Sequence, residues 1–208
     1  MIEHNGVVLV LSGPSGAGKS SLINKISNEI GDYYFSLSTT TRPMRKGEAE
    51  GVDYHFVSKE EFVKDIENDN FLEYATVHGN YYGTSLHPVR QALSEGKLVI
   101  FDIDVEGNMA VKNRLGDITT SVFITPPTLS ELKRRLEKRS TDSKEIIEGR
   151  IQVARREIQR TSEYDFIVIN DNLDVAAKVL KQIALTARLK IPHIKINEFV
   201  QRWEDIEE

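Results

Sequence analysis

Gly13–Pro14–Ser15–Gly16–Ala17–Gly18–Lys19–Ser20 is the stretch on which the reading of this chain turns. It fits the pattern G-x-x-x-x-G-K-[S/T], a loop whose glycines let the backbone wrap closely around phosphates. The run Val7–Leu11 before it is β-branched and leucine-rich, as a buried parallel strand requires. After it, Leu22, Ile23, Ile26 and Ile30 recur at the spacing of one helical face. The loop therefore lies between a strand and a helix N-terminus, where backbone N–H groups and the helix dipole converge on an anion. In that setting Lys19 can reach the β- and γ-phosphates of a nucleotide, and the Ser20 hydroxyl can ligate Mg²⁺.

Further along the chain, strands and helices alternate, which predicts an α/β fold with a parallel sheet core flanked by helices. Strands are expected at 7–11, 98–103, 121–124 and 166–169, and helices at 19–30, 104–114, 128–138, 143–161 and 172–189. The texture changes between the first helix and Leu98. Residues 35–88 hold Tyr54, Tyr74, Tyr81 and Tyr82 among turn signals at Lys46–Gly47, Glu50–Gly51 and Gly79–Asn80. This segment reads as an inserted, mostly antiparallel lobe with a small helix at 59–68. The end of the chain, 190–208, carries Phe199, Trp203 and Ile206 at helical spacing and reads as a helix docked on the body. No internal repeat or low-complexity stretch is visible.

Composition narrows the class. With 208 residues, 39% hydrophobic and 28% charged, the chain can build a core, and wholesale disorder is excluded. A formal charge of −5 argues against bulk nucleic-acid binding, which needs a basic footprint, but leaves room for local arginine clusters that bind small phosphates. There is no cysteine, so disulfides and thiolate metal sites are excluded. No apolar run approaches a membrane span, and the first residues lack a signal-type pattern, so the cytoplasm is the expected location. His4, His55, His78, His87 and His193 are scattered and receive no role.

The run Leu98–Asp104 is a second nucleotide-site signal. An apolar strand ending in carboxylates beside a phosphate loop is where such enzymes hold Mg²⁺, often through water. Asp102 and Asp104 are the candidates, with only one expected to face the metal.

A phosphate loop is shared by GTPases, motor ATPases and small-molecule kinases. The guanine-reading motif Asn-Lys-x-Asp of GTPases is missing, and Asn24–Ser27 comes nearest without the acid. The inserted lobe is more telling. Arg42 and Arg45 can bind a phosphate through paired N–H donors, and Tyr54 and Tyr82 can add hydroxyl donors. Glu73 can accept both the ring N–H and the exocyclic amine of guanine, a pairing that adenine cannot offer. Arg135 and Arg139, four apart in Leu132–Arg139, share a helix face.

In these motifs the chain resembles the guanylate kinase family. The resemblance runs from Val7 to about Leu189. It rests on the loop Ser12–Ser21, the block Thr40–Val57 with its Thr-Thr-Arg, Arg-x-Gly-Glu and Gly-x-Asp-Tyr-x-Phe-Val elements, and the runs Phe71–Glu73, Gly79–Gly83, Phe101–Asp104 and Val168–Asp171. Met44 and Lys46 stand where proline is common, Thr84 where serine is frequent, and Ser140 replaces the usual glycine.

The resemblance implies ATP and GMP as substrates with Mg²⁺, no nucleic-acid or membrane partner, and three parts. A core would span 1–34, 89–126 and 161–208, a GMP-binding lobe 35–88 and a lid 127–160. It implies GMP contacts from Ser38, Arg42, Arg45, Tyr54, Glu73, Tyr82, Gly83, Thr84 and Asp102. ATP would lie on Gly13 through Ser21, with Asn170 near the base, and Arg150 would join Arg135 and Arg139 in the lid. Three rivals remain open: a kinase for another monophosphate such as AMP or dTMP, a catalytically silent phosphopeptide-binding module of the same fold, and a GTPase-type switch.

Overall fold

A five-stranded, all-parallel sheet in the order β2-β7-β1-β8-β9 organises the molecule. Its strands are β1 (Val7–Ser12), β2 (Tyr33–Phe35), β7 (Leu98–Asp102), β8 (Thr119–Thr125) and β9 (Phe166–Ile169). The computed structural model describes residues 5–77, 79–138, 143–190 and 196–204. The central strand β1 is buried along its whole length, as its unbroken apolar run dictates. One sheet face, with Leu9, Leu11, Ile100 and Ile124, packs on α1 (Lys19–Ile26) and α7 (Leu173–Ala187) through Leu22, Ile26, Leu180 and Ile183. The other, with Val8, Val10, Val99 and Phe101, packs on α3 (Leu86–Ser94) and α4 (Val105–Leu115) through Val89, Ala92 and Val111.

This arrangement sets the site. The chain leaves β1 for α1 on one face and leaves neighbouring β7 for α4 on the other. Outside their carboxyl ends a crevice must open, which is where open α/β sheets bind ligands.

A second sheet in the order β4-β3-β6-β5 is built from β3 (Thr39–Thr40), β4 (His55–Phe56), β5 (Phe71–Val77) and β6 (Asn80–Ser85). Two of its three pairings are antiparallel, while β3 and β4 run parallel. The helix α2 (Lys59–Glu67) covers it, started by a capping box between Ser58 and Glu61. Phe62 of α2 is fully buried and stacks on Phe71, with ring centroids 4.1 Å apart, and on Tyr81 at 5.2 Å. A third cluster is helical. Leu132 and Leu136 of α5 (Leu129–Lys138) pack on Ile147, Ile151 and Ala154 of α6 (Lys144–Glu157).

Several elements differ from expectation. The segment 33–35 is an edge strand of the main sheet, too short for its periodicity to register. Helix α3 is not among the expected elements; its Pro88 stands in the first turn, where the missing N–H has no intrahelical partner to lose. Strand β8 begins two residues early because Thr119 and Thr120 are buried despite their hydroxyls. The tail helix α8 (Ile196–Glu204) forms, but it is not docked: Trp203 is 78% exposed, and Phe199 and Val200 are also open to solvent. Periodicity sets which residues share a face, not whether the body offers that face a surface; Ile206 lies outside the described residues. No helix among the described residues is long and apolar enough to cross a membrane.

Phe62→Ala is expected to cost about 3–5 kcal/mol, the price of emptying a fully buried aromatic site. Urea unfolding would measure it. A loss under about 1 kcal/mol would mean the second sheet does not depend on this stack.

Candidate active site

The phosphate loop leaves β1 at Gly13 and enters α1 at Gly18, its N-cap, with φ of 93°. A side chain there would collide with the Asn170 amide, since a Cβ would lie 2.4 Å from Nδ2. Both the positive φ and the close approach demand glycine. Asn170, 4% exposed at the end of β9, donates from Nδ2 to the Ala17 carbonyl at 2.8 Å. It therefore shapes the loop, a role sequence reasoning did not give it. Lys19 Nζ donates to the Gly13 carbonyl at 2.6 Å and stands 3.6 Å from Asp102 Oδ1. Burial pushes the Asp102 carboxyl up, and the Lys19 ammonium opposes that shift.

Asp102 and Asp104 part company because β7 ends at Asp102. Asp104 becomes the N-cap of α4, its Oδ1 accepting from the Gly107 N–H at 2.8 Å. Ser12 donates to the Asp104 carbonyl at 3.3 Å, so the ends of β1 and β7 are joined beside the loop.

The α5–α6 pair rests on the loop. The nearest atoms to a Cβ placed on Gly16 would be those of Leu136 and Leu132. Arg150 Nη1 donates to Ser15 Oγ at 2.7 Å. Arg135 bridges Glu131, 2.7 Å away, and the Asn170 carbonyl at 2.8 Å. Arg134 and Arg135 together hold the Glu131 carboxyl down at about 2. Arg135, Lys138, Gly16, Gly18, Ser21 and Asn170 line one cleft of ≈ 440 Å³. Arg139 lies outside the described residues, as does Ser140.

Across the crevice, the second sheet brings most of the remaining candidates together. Glu48, to which the sequence reading gave no role, accepts from Arg42 Nη2 at 2.8 and 3.0 Å, and from the Arg45 backbone N–H at 2.8 Å. The available signal was its place three residues after Arg45 around Gly47. The Arg42 guanidinium holds the Glu48 carboxyl below the usual range, with the Arg45 N–H second. Arg42 also lies over the Tyr54 ring at 5.5 Å, and Tyr54 meets Tyr82 edge-on with centroids 6.2 Å apart. Ser38 leads into β3, its carbonyl accepting from the His55 N–H at 2.9 Å.

Thr84, 4% exposed, donates to Glu73 Oε1 at 2.8 Å. Gly83 lets β6 approach β5 closely, since a Cβ there would lie 2.8 Å from the Glu73 carbonyl. Glu73 faces Ile103, Asp104, Gly107 and Ala110 across a cleft of ≈ 290 Å³.

The sequence matches the family profile described as guanylate kinase over residues 5–187. A guanylate kinase from Sulfurimonas denitrificans is 67% identical over 206 residues, covering 99% of this chain and all of that one. One from Wolinella succinogenes is 50% identical over 207 residues, covering all of this chain and 96% of that one. The crystal structure of guanylate kinase from Anaplasma phagocytophilum superposes with a TM-score of 0.73 at 30% identity, each chain covered in full. A chain whose phosphate loop, arginine-bearing lobe and helical pair are matched along nearly its whole length belongs to the guanylate kinase family of nucleotide-binding kinases.

Proposed function

We propose that the chain transfers the γ-phosphoryl group of ATP to GMP, and to dGMP, by in-line displacement with Mg²⁺. The observation that supports this is that the inserted lobe carries both a carboxylate paired with Thr84, Glu73, and a cation cluster of Arg42, Tyr54 and Tyr82, suited to a base and to a phosphate. On this reading residues 35–88 hold GMP and residues 127–160 close over ATP. The core, 1–34, 89–126 and 161–208, carries the loop.

The acceptor is itself a phosphate oxygen, already negative near neutral pH because its second pKa is about 6. No general base is needed. Catalysis reduces to alignment, charge neutralisation and exclusion of water. Lys19 leaves the Gly13 carbonyl for the β- and γ-phosphates. Arg42 and Arg45 hold the acceptor phosphate, with Tyr54 and Tyr82 adding donors. Arg135, Arg139 and Arg150 close on the transferring group from the α5–α6 side.

The donor set fits a phosphate-borne Mg²⁺. Among the described residues no three acids or histidines close on one point, as an all-protein cage would need. Ser20 in the first turn of α1, with Asp102 and Asp104 nearby, suits a metal that keeps several waters and takes its remaining ligands from phosphate. Mg²⁺ held there would offset the charge of the donor phosphates, with Ser20 and one of Asp102 and Asp104 on its side of the loop.

A coupled ADP-release assay with ATP, Mg²⁺ and each monophosphate in turn tests the assignment: turnover with GMP and dGMP is expected, and a preference for AMP or dTMP would overturn it. Lys19→Met should lower kcat at least ~100-fold, about 2.7 kcal/mol, by removing a charge-stabilising donor while keeping the stem. A variant that keeps most of its activity would mean the loop is not catalytic.

Glu73→Gln should lower kcat/KM for GMP with little effect on ATP binding. With Thr84 donating on one side, the glutamine turns its NH₂ toward the base, donor against donor, at a cost of roughly 1–3 kcal/mol. An unchanged kcat/KM would remove Glu73 as the base reader.

Closure should accompany binding of both substrates. A two-substrate analogue, adenosine and guanosine joined by a phosphate chain, is expected to compact the protein in solution scattering, and identical curves would count against closure. Arg139→Ala should lower kcat more than it raises either KM, its contact forming mainly in the transition state. An effect confined to KM would move Arg139 to ground-state binding.

A further inference from the structure

Glu157 is a carboxylate that the chemistry above leaves unused. It ends α6, where the helix runs into the 3-10 turn Ile158–Glu163. Its Oε2 is buried and has no hydrogen-bond partner, an expensive state for a carboxylate oxygen. With Asp104, Glu157 lines a cleft of ≈ 380 Å³ between the start of α4 and the end of α6. Arg160 on its rim is taken by Glu106 and Glu163. Burial pushes the Glu157 carboxyl up, Lys19 pulls it down and Asp104 pushes it further, so both groups lie within electrostatic reach. Asp102 thus stands 3.6 Å from the loop lysine, while Asp104 and Glu157 line one cleft between α4 and α6.

Glu157 also shares a face of α6 with Arg150, seven residues earlier, and Ala154 between them. Ala154 is buried in the α5–α6 core, and Arg150 reaches Ser15 in the phosphate loop. One helix therefore brings a cation to the loop and a carboxylate to the cleft at the start of α4.

We propose that Glu157 is a positioning residue for the metal of the phosphoryl-transfer centre: its Oε2 accepts hydrogen bonds from waters in the metal's shell, and through α6 it ties the metal's place to the seating of Arg150. The inference rests on the donor-site reading given under the proposed function. An ordered water shell supplies the donors that Oε2 lacks, and a third carboxylate suits a divalent ion better than a lone lysine.

The test is Mn²⁺ binding followed by electron paramagnetic resonance, with the full chain saturated by an adenosine–guanosine pentaphosphate. The complex is expected to hold Mn²⁺ more tightly than the free analogue does. Glu157→Gln, which keeps size and removes charge, should weaken that binding about tenfold, as outer-shell substitutions do. The affinity of the analogue in EDTA should stay unchanged. Equal Mn²⁺ affinity in the variant and the parent would overturn the proposal while leaving the donor site standing. A parallel loss of analogue affinity in EDTA would also overturn it, showing that Glu157 serves the fold of α6. If the parent complex held Mn²⁺ no better than the free analogue, the donor-site reading would itself fail.

Discussion

The Lys19 ammonium, 2.6 Å from the Gly13 carbonyl and 3.6 Å from Asp102, sits among groups that, on the proposed reading, a nucleotide replaces. The same holds around the crevice. Arg42 is held bidentately by Glu48, Arg135 by Glu131 and the Asn170 carbonyl, and Arg150 by Ser15. Half-buried cations left bare would cost more than their neighbours could return, so the fold supplies each with a partner. Substrate binding then becomes an exchange of one acceptor for another. Its net energy is a difference, and a dianionic phosphate, with more charge and more oxygens than a carbonyl or a shared carboxylate, wins that exchange.

What moves during the exchange is set by where the cores lie. The two sheet faces, the α5–α6 cluster and the Phe62 stack are separate packed units. The inserted lobe meets the body through Leu72 of β5, which packs on the cluster of Val8, Val10 and Val99, and through polar links: Tyr34 OH and His55 Nε2 lie 3.4 Å apart, the Leu86 N–H donates to the Asn70 carbonyl at 2.7 Å, and Arg114 reaches the Asp69 carbonyl at 2.9 Å. Close-packed units keep their shape, whereas polar links can be remade at a new angle for little net cost. The division suits rigid-body closure better than continuous bending.

The central sheet was legible because its strands carry unbroken apolar runs and its loop carries glycines that no ordinary turn needs. Glu73 and Arg42 stood out as residue types in a pattern, and the fold brings Glu73 and Thr84, and Arg42 and Tyr54, within contact. The loop-shaping contact of Asn170 has no local signature, since it spans 153 residues, whereas Glu48 is tied to Arg42 and Arg45 within one short turn and was readable only from that spacing. Strand β2 is three residues long, helix α3 carries Pro88 in its first turn, and the exposure of Trp203 is a property of the body rather than of the tail.

The position of Glu73 has a consequence for specificity. Its side chain opens into a cleft, and neighbouring Tyr74 is 50% exposed. In an open cleft, water competes with guanine for the carboxylate, and discrimination between bases amounts to little. The pairing gains its full selectivity only when the cleft is dry, because a wrong base then leaves buried polar groups unsatisfied. Closure of the lobe on α4, on the proposed reading, dries this cleft and carries Arg42 with the acceptor phosphate toward Lys19. On the proposed reading, recognition of the base and alignment of the acceptor are therefore one event, and a monophosphate that cannot satisfy Glu73 would fail at transfer as well as at binding.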